Sequence, residues 1–188
     1  MNIIPDDAIK LIKMLNDNGY EAYLVGGCVR DMLMGTVPHD WDMCTNATPE
    51  EIKETMKLNN VYTFDSGIKH GTITAVLNKE NYEITTYRSE AGYSDGRHPD
   101  KVDFVKDIHE DLKRRDLTIN ALAYNPVSDK LIDDYFGKCD LNMRVIKCVG
   151  NARDRFMEDS LRILRALRFA IKYQWRIDDD TAKAMHEL

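Results

Sequence analysis

Two aspartates one residue apart, Asp40-Trp41-Asp42, are the feature of this chain whose type and spacing point most directly at chemistry. If residues 40–44 form a strand, side chains alternate, so Asp40 and Asp42 share one face while Trp41 and Met43 take the other. Two carboxylates in one small volume oppose each other's ionisation unless a cation lies between them. Their hard oxygens suit Mg²⁺, which keeps waters and substrate phosphates as its remaining ligands. Asp-x-Asp alone equally describes two solvated strand residues, and the neighbouring segments separate the two readings. Upstream, Leu24-Val25-Gly26-Gly27-Cys28-Val29-Arg30-Asp31 reads as a strand, a glycine pair and a helix start. That arrangement turns free backbone N–H groups and the positive end of a helix dipole toward an anion, with Arg30 one turn in to add charge. Together, Gly26, Gly27, Arg30, Asp40 and Asp42 describe a triphosphate and its Mg²⁺.

Three further segments carry suitable groups. Glu83 lies in a strand alternating Glu83, Thr85 and Tyr87 with Tyr82, Ile84 and Thr86, where it is either a third catalytic acid for two-metal phosphoryl transfer or an exposed edge residue. Arg114-Arg115-Asp116-Leu117-Thr118-Ile119-Asn120-Ala121-Leu122 gathers, within about two helical turns, guanidinium forks for phosphate and Asp116, Thr118 and Asn120 as hydrogen-bonding groups for ribose hydroxyls. In Glu158-Asp159-Ser160-Leu161-Arg162-Ile163-Leu164-Arg165-Ala166-Leu167-Arg168-Phe169, a continuous helix is expected to bury Leu161, Leu164, Leu167 and Ile171. It would also make Asp159 and Arg162 neighbours at i, i+3, either as an ordinary ion pair or as a base reader. Cytosine and adenine each present an exocyclic amino donor beside a ring-nitrogen acceptor, which one Asp acceptor and one Arg donor match; guanine and uracil present the reverse. Such a pair selects CTP and ATP without a nucleic-acid template.

The elements that must position these groups are legible in outline. Ala8, Leu11, Ile12 and Leu15 predict a helix over residues 5–18, and the Thr48-Pro49-Glu50-Glu51 capping box starts another through Leu58. Strands are expected at Glu21–Val25, 40–44, Val61–Phe64, Thr72–Leu77 and Tyr82–Tyr87, with a shorter candidate at Val102–Val105. Arg88–Pro99 has no periodicity and reads as a mobile loop, and helical signals dominate from Asp107 onward, broken around Asn125–Ser128 and at Gly137 and Gly150. The expected layout is an α+β head over 1–140 with a small mixed sheet, followed by an all-helical neck over 141–188. The neck ends inside an unfinished helix and suggests a truncated protein.

Composition bounds the setting. At 188 residues, with 43% apolar and 31% charged side chains, the chain is long enough to bury a core. No apolar run reaches the roughly 18 residues of a membrane span and no signal-peptide pattern opens the sequence, so a cytoplasmic enzyme is expected. Cys28, Cys44, Cys139 and Cys148 form no CxxC pair and read as reduced packing residues. The net charge of −6 disfavours a nucleic-acid partner, but the basic residues sit late: 11 basic and 20 acidic side chains precede residue 113, and 15 basic and 12 acidic follow. Such a concentration suits either a phosphate backbone or a solvated helix face.

Taken in order, five segments resemble the class II CCA-adding tRNA nucleotidyltransferases and their bacterial poly(A) polymerase relatives of the DNA polymerase beta superfamily. They are Gly26–Asp31, Asp40-Trp41-Asp42, Arg114–Leu122, Asp133 through Gly137 to Asp140-Leu141, and Glu158–Phe169. The resemblance implies a polymerase-beta-like head, metal binding by Asp40 and Asp42, and triphosphate contacts from Gly27, Arg30 and Arg115. It implies ribose recognition by Arg114–Asn120, base selection by Asp159 and Arg162, and Arg165 and Arg168 along the same groove. Asp133–Leu141 would be the head–neck hinge and Tyr87–Arg97 the family's flexible loop, which favours full CCA addition over CC addition. The family members are longer, with helical body and tail regions that grip tRNA. The implied reaction is addition of CMP and AMP from CTP and ATP to the tRNA 3′ end with pyrophosphate release, with no membrane and no obligate protein partner. Poly(A) polymerase, A-adding or CC-adding activity is the alternative within the class, and a catalytically silent RNA-binding module the alternative outside it.

Overall fold

The structure, a computed structural model, describes residues 3–188. Helix α1 (Asp6–Asp17) buries Ala8, Leu11, Ile12 and Leu15 and carries Asp6 and Asp7 in its first turn, where the dipole favours them. Strand β1 (Ala22–Val25), helix α2 (Gly27–Leu33), strand β2 (Met43–Thr45) and helix α3 (Pro49–Leu58) follow. The capping box at α3 is closed in both directions: the Glu51 N–H donates to Thr48 Oγ1 at 3.3 Å and the Thr48 N–H to Glu51 Oε2 at 2.7 Å. Then come β3 (Tyr62–Gly67), β4 (Thr72–Leu77), β5 (Glu80–Thr86), β6 (Arg88–Ala91), β7 (Lys101–Phe104) and α4 (Ile108–Lys113). After a 3₁₀ turn at Thr118–Asn120 the chain adds β8 (Ala123–Asn125), β9 (Lys130–Ile132), α5 (Gly137–Met143), β10 (Val145–Ile146), α6 (Ala152–Glu158), α7 (Leu161–Tyr173), β11 (Arg176–Ile177) and α8 (Asp179–Glu187).

The principal sheet has seven strands in the order β3-β4-β5-β2-β1-β8-β9. The β2/β5 pair is parallel and its other pairs are antiparallel, so the sheet is mixed. Alternation assigns its faces. Ala22, Leu24, Met43, Ile73 and Ile84 join the larger core with α1 and α3, while Tyr23, Val25, Cys44 and Ala123 face a smaller cluster closed by Tyr87, Ile108 and Leu112. The larger core runs on through Leu141, Ile146, Cys148, Phe156, Ala166 and Ala184, so sheet and terminal helices share one interior. Backbone bonds stitch the junction: Thr118 N–H to Lys147 O at 2.9 Å and Val149 N–H to Asp116 O at 3.0 Å. At Gly137, an added Cβ would stand 2.2 Å from the Thr118 carbonyl oxygen, so the close approach of α5 to the 3₁₀ turn requires glycine.

Several expectations are corrected. Only Met43–Thr45 of the 40–44 strand is in the ladder. The stretch expected as a structureless loop contributes β6, which pairs with β7 from Arg88↔Phe104 to Ala91↔Lys101; charged and small residues hid a hairpin whose pairing is mainly backbone. The region after Asp107 returns β8 and β9 to the sheet, and residues 141–188 hold the parallel β10–β11 pair, so they are not all-helical. All four cysteines are free, with Cys28, Cys44 and Cys148 buried, but Cys139 is exposed, its Sγ 3.7 Å from Met143 Sδ.

Candidate active site

The glycine turn and the acids meet at one end of the central strands. Gly26 links β1 to α2 with φ 75° and ψ −125°, a conformation that L side chains rarely adopt. Its N–H is taken by the Leu122 carbonyl at 3.0 Å, and an added Cβ would lie 2.9 Å from Arg115 Nη1. Asp40 and Asp42 precede the β2 ladder, yet the alternation holds: both are exposed, while Trp41 and Met43 are buried. The Val25 N–H donates to Asp42 O at 3.0 Å and fixes the backbone there. The parallel register Met43↔Ile84 places Glu83 beside Asp42, on an interior strand of the sheet rather than at its edge.

The carboxyl of Asp42 is reached by solvent but sits against the protein floor. That partial desolvation, then the charges of Glu83 and Asp40, raise its pKa, against an opposing pull from Arg115. A cation would relieve this repulsion. No set of three His, Cys, Asp or Glu side chains among the described residues converges closely enough to hold a metal by itself. The donor set of hard oxygens open to solvent fits a divalent ion that completes its shell with water and phosphate.

Beside these acids a cleft of about 180 Å³ is lined by Asp42, Glu83, Arg88, Asp111, Arg114 and Arg115 among others. Helix α4 ends at Lys113, so Arg114 to Leu122 is a turn and a 3₁₀ segment rather than two helical turns. Arg114 donates Nη1 to Glu90 Oε1 at 3.0 Å and Nη2 to Asp111 Oδ1 at 2.9 Å. Arg115 donates Nη2 to Asp111 Oδ2 at 3.1 Å. Glu90 also accepts from Arg88 Nε at 2.9 Å and Tyr93 OH at 3.0 Å. Burial works against ionisation of Asp111 and Glu90, but the arginines outweigh it and both pKa values are lowered. Sequence reasoning missed Asp111 and Glu90; the i, i+3 and i, i+4 spacing of Asp111 to Arg114 and Arg115 was the available signal.

A second chain of polar groups runs behind the glycine turn into α7. Arg30 is buried and is not turned to the cleft: it donates Nη1 to Asn120 Oδ1 at 2.6 Å and Nε to Asp31 Oδ1 at 2.8 Å. Its guanidinium lies 4.9 Å from the centroid of the Phe169 ring and 5.8 Å from that of Tyr173. Asn120 Nδ2 donates to Asp116 Oδ1 at 3.2 Å, and Arg165 Nε donates to Asp116 Oδ2 at 2.6 Å. Burial opposes the charge on Asp116, and Arg165 with its hydrogen bonds more than offsets this, lowering the pKa.

The last segment departs most from expectation. The helix breaks at Asp159, which caps α6 in an extended conformation (φ −143°, ψ 105°), and Asp159 Oδ1 accepts from the Leu161 N–H at 3.0 Å. The buried Arg162 pairs with Glu158 at 2.8 Å rather than with Asp159, and Glu158 is also held by Arg155. Leu161, Leu164, Leu167 and Ile171 are exposed, and Arg162 and Ala166 face inward instead. The loop between β6 and β7 reaches this break, with the Ser160 N–H donating to Gly96 O at 3.1 Å. Arg165 is half-exposed and Arg168 exposed on α7.

A mixed sheet with a glycine turn feeding a short helix, and acids crowded at the same strand ends, defines a polymerase-beta-like nucleotidyltransferase fold. The poly A polymerase head domain family matches residues 22–147, and the chain belongs to it. Divalent-metal use goes with this family in general. The CCA-adding enzyme of Lactobacillus delbrueckii subsp. bulgaricus is 50% identical over 184 residues, 96% of this chain and 45% of that protein. The crystal structure of the Bacillus stearothermophilus CCA-adding enzyme in complex with CTP superposes with a TM-score of 0.83 at 38% identity, covering 94% of this chain and 41% of that one. A tRNA nucleotidyltransferase complexed with a primer tRNA and an incoming ATP analog gives a TM-score of 0.76 at 32% identity, over 94% of this chain and 49% of that one. The chain thus spans about half the length of the curated relatives it matches. No helix among the described residues is long and apolar enough to cross a membrane.

Proposed function

We propose that this chain carries the catalytic head and first neck helices of a template-independent nucleotidyltransferase that adds CMP and AMP from CTP and ATP to the 3′ end of tRNA in the cytoplasm. The observation that carries the reading is the crowding of Asp40, Asp42 and Glu83 beside the glycine turn, where partial burial and then the neighbouring acids raise the pKa of Asp42. Its relatives and structural neighbours, by their names, support the choice of substrates. The head extends over about 1–140 and the neck from there on, with α5 as the hinge element.

In this reading Asp40 and Asp42 hold Mg²⁺, with Glu83 as the third acid. The ion, when bound, stabilises charge on the phosphates and on the attacking oxygen. Gly26 and Gly27 let the triphosphate approach the backbone, and Arg114 and Arg115 supply its positive wall. Asp116 and Asn120, held from behind by Arg30 and Arg165, form the ribose side. Asp159 and Arg162 read the base, and Arg168 extends the groove. The 3′-hydroxyl gives its proton to one of the exposed acids or to solvent, its oxygen forms the bond to the α-phosphorus as the bridge to the β-phosphate breaks, and the electron pair leaves with pyrophosphate.

Incubation with tRNA lacking its 3′ end, CTP, ATP and Mg²⁺, followed by product sequencing, is expected to show C, C and A added in that order. A tract of A alone would assign poly(A) polymerase activity instead. RNA binding without Mg²⁺-dependent CTP affinity would mark a silent module.

A further inference from the structure

Of the charged side chains that line the cleft, Asp111 is the most deeply placed, 1% exposed, and all of its bonds run to arginine residues. Oδ1 accepts from the Arg88 backbone N–H at 3.2 Å and from Arg114 Nε and Nη2 at 3.1 and 2.9 Å; Oδ2 accepts from Arg115 Nη2 at 3.1 Å. With its lone pairs committed and its carboxylate buried, Asp111 has nothing left to offer a ligand, and an anion this close would repel phosphate. What it does control is orientation. The other fixed contact of Arg115 is a long one, Nη1 to Asn120 O at 3.5 Å, and its buried Nε has no partner. The angle of that guanidinium is therefore set chiefly by Asp111. Arg114 is clamped between Asp111 and Glu90. Three guanidiniums, from Arg88, Arg114 and Arg115, meet two carboxylates, from Asp111 and Glu90, so this cluster carries one net positive charge opposite the acids Asp42 and Glu83 that line the same cleft.

We propose that Asp111 is the positioning residue of the phosphate wall: it holds Arg114 and Arg115 in a preset geometry so that a nucleoside triphosphate meets donors already aimed at it. Fixed donors need no reorganisation when the anion arrives, which is the advantage of building the pair on a buried carboxylate rather than on solvent-exposed stems. The inference rests on the reading of this cleft as the triphosphate site, and it adds that the site depends on a residue that never touches the nucleotide.

The test measures affinity for CTP and for CMP in the presence of Mg²⁺, by calorimetry and ligand-observed NMR. Asp111→Asn keeps the shape and removes the charge. It is expected to weaken CTP by about 10–100-fold, the scale for outer partners that orient binding groups, and to leave CMP unchanged. Arg115→Ala should show the same selectivity, and adding Asp111→Asn to the Arg114→Ala/Arg115→Ala variant should weaken CTP binding no further. Equal loss of CTP and CMP, an unchanged CTP affinity, or additive losses would overturn the proposal. If Arg115→Ala binds CTP like the wild type, the phosphate reading itself fails and takes the proposal with it. Should Asp111→Asn not fold, the wild-type protein still decides. Without nucleotide, the Nε–H resonances of Arg114 and Arg115 should be resolved and slow to exchange, and signals averaged with free surface arginines would refute preorganisation.

Discussion

The acidic and basic groups around the candidate site obey opposite rules. Asp40, Asp42 and Glu83 are exposed, and among the described residues no ion pair or hydrogen bond engages their carboxylates. Arg30, Arg114, Arg115 and Arg162 are buried or nearly so, and each is bound to a carboxylate. The acids therefore carry unrelieved repulsion that an incoming cation removes, whereas the arginines have been neutralised in place and serve as a rigid frame. The largest expected effect breaks the acidic side. Asp42→Ala should lower nucleotide incorporation by about 10³-fold or more, since metal-borne charge stabilisation is worth several kcal/mol. It should leave the melting temperature unchanged or slightly higher, because a repelling charge has gone. Retained turnover at high Mg²⁺, or a marked fall in melting temperature, would reverse the assignment of the acids to function and the arginines to structure.

The arginine side should fail in the other way, through stability. Arg30→Ala strips Asn120 Oδ1 and Asp31 of a donor and removes the cation lying against the stacked Phe169 and Tyr173 rings. The expected cost is about 2–4 kcal/mol, read from urea denaturation, with Arg30→Lys recovering only part because an ammonium lacks the planar fork. A cost within about 0.5 kcal/mol, the scale of ordinary surface changes, would place Arg30 outside the frame.

Acid should dissolve the same frame. Asp111, Asp116 and Glu90 have folded-state pKa values below their ordinary ones because neighbouring arginines outweigh burial. The stability they contribute is complete above the unfolded values, 3.8 for Asp and 4.5 for Glu, and is lost as pH falls through the depressed folded ones. Unfolding free energy measured from pH 7 to pH 3 should thus fall steeply below about pH 4, and Asp111→Asn should flatten that arm. A parallel fall in the variant would mean that Asp111 does not titrate with folding.

These two sides were unequally legible in the sequence. The acids stood out because Asp-x-Asp alternates about a buried Trp41, and burial on one side of a two-residue period survives even where the hydrogen-bonded strand has not yet begun. The glycine pair was legible for a similar reason: only glycine meets the Gly26 backbone angles. The frame was not, because its bonds join residues far apart in the chain, Arg30 to Asn120 and Arg165 to Asp116, and no local period encodes them. Of the β6–β7 hairpin only the first strand escaped, because Arg-Ser-Glu-Ala shows no apolar alternation, whereas Lys-Val-Asp-Phe alternates and overlaps the strand expected at Val102–Val105.

Helix α7 carries the contrast to its limit, because there one arginine is buried while four apolar residues face solvent. Periodicity placed Leu161, Leu164, Leu167 and Ile171 in the core, yet Leu164 is 61% exposed while Arg162 is 7% exposed. Arg162 turns inward because Glu158, at the end of α6 before the Asp159 break, supplies the carboxylate that makes its burial tolerable. The leucines turn outward as a consequence of that rotation. A leucine packed in a core costs about 2–5 kcal/mol on truncation to alanine. Leu164→Ala, at a solvent-facing helix site, should change unfolding free energy by less than about 0.5 kcal/mol, with a small gain from alanine's helix propensity acting in the opposite direction. A loss of core size in urea denaturation would show that Leu164 packs inward in solution. The pairing of Arg162 with Glu158 would then give way to the continuous helix expected from periodicity.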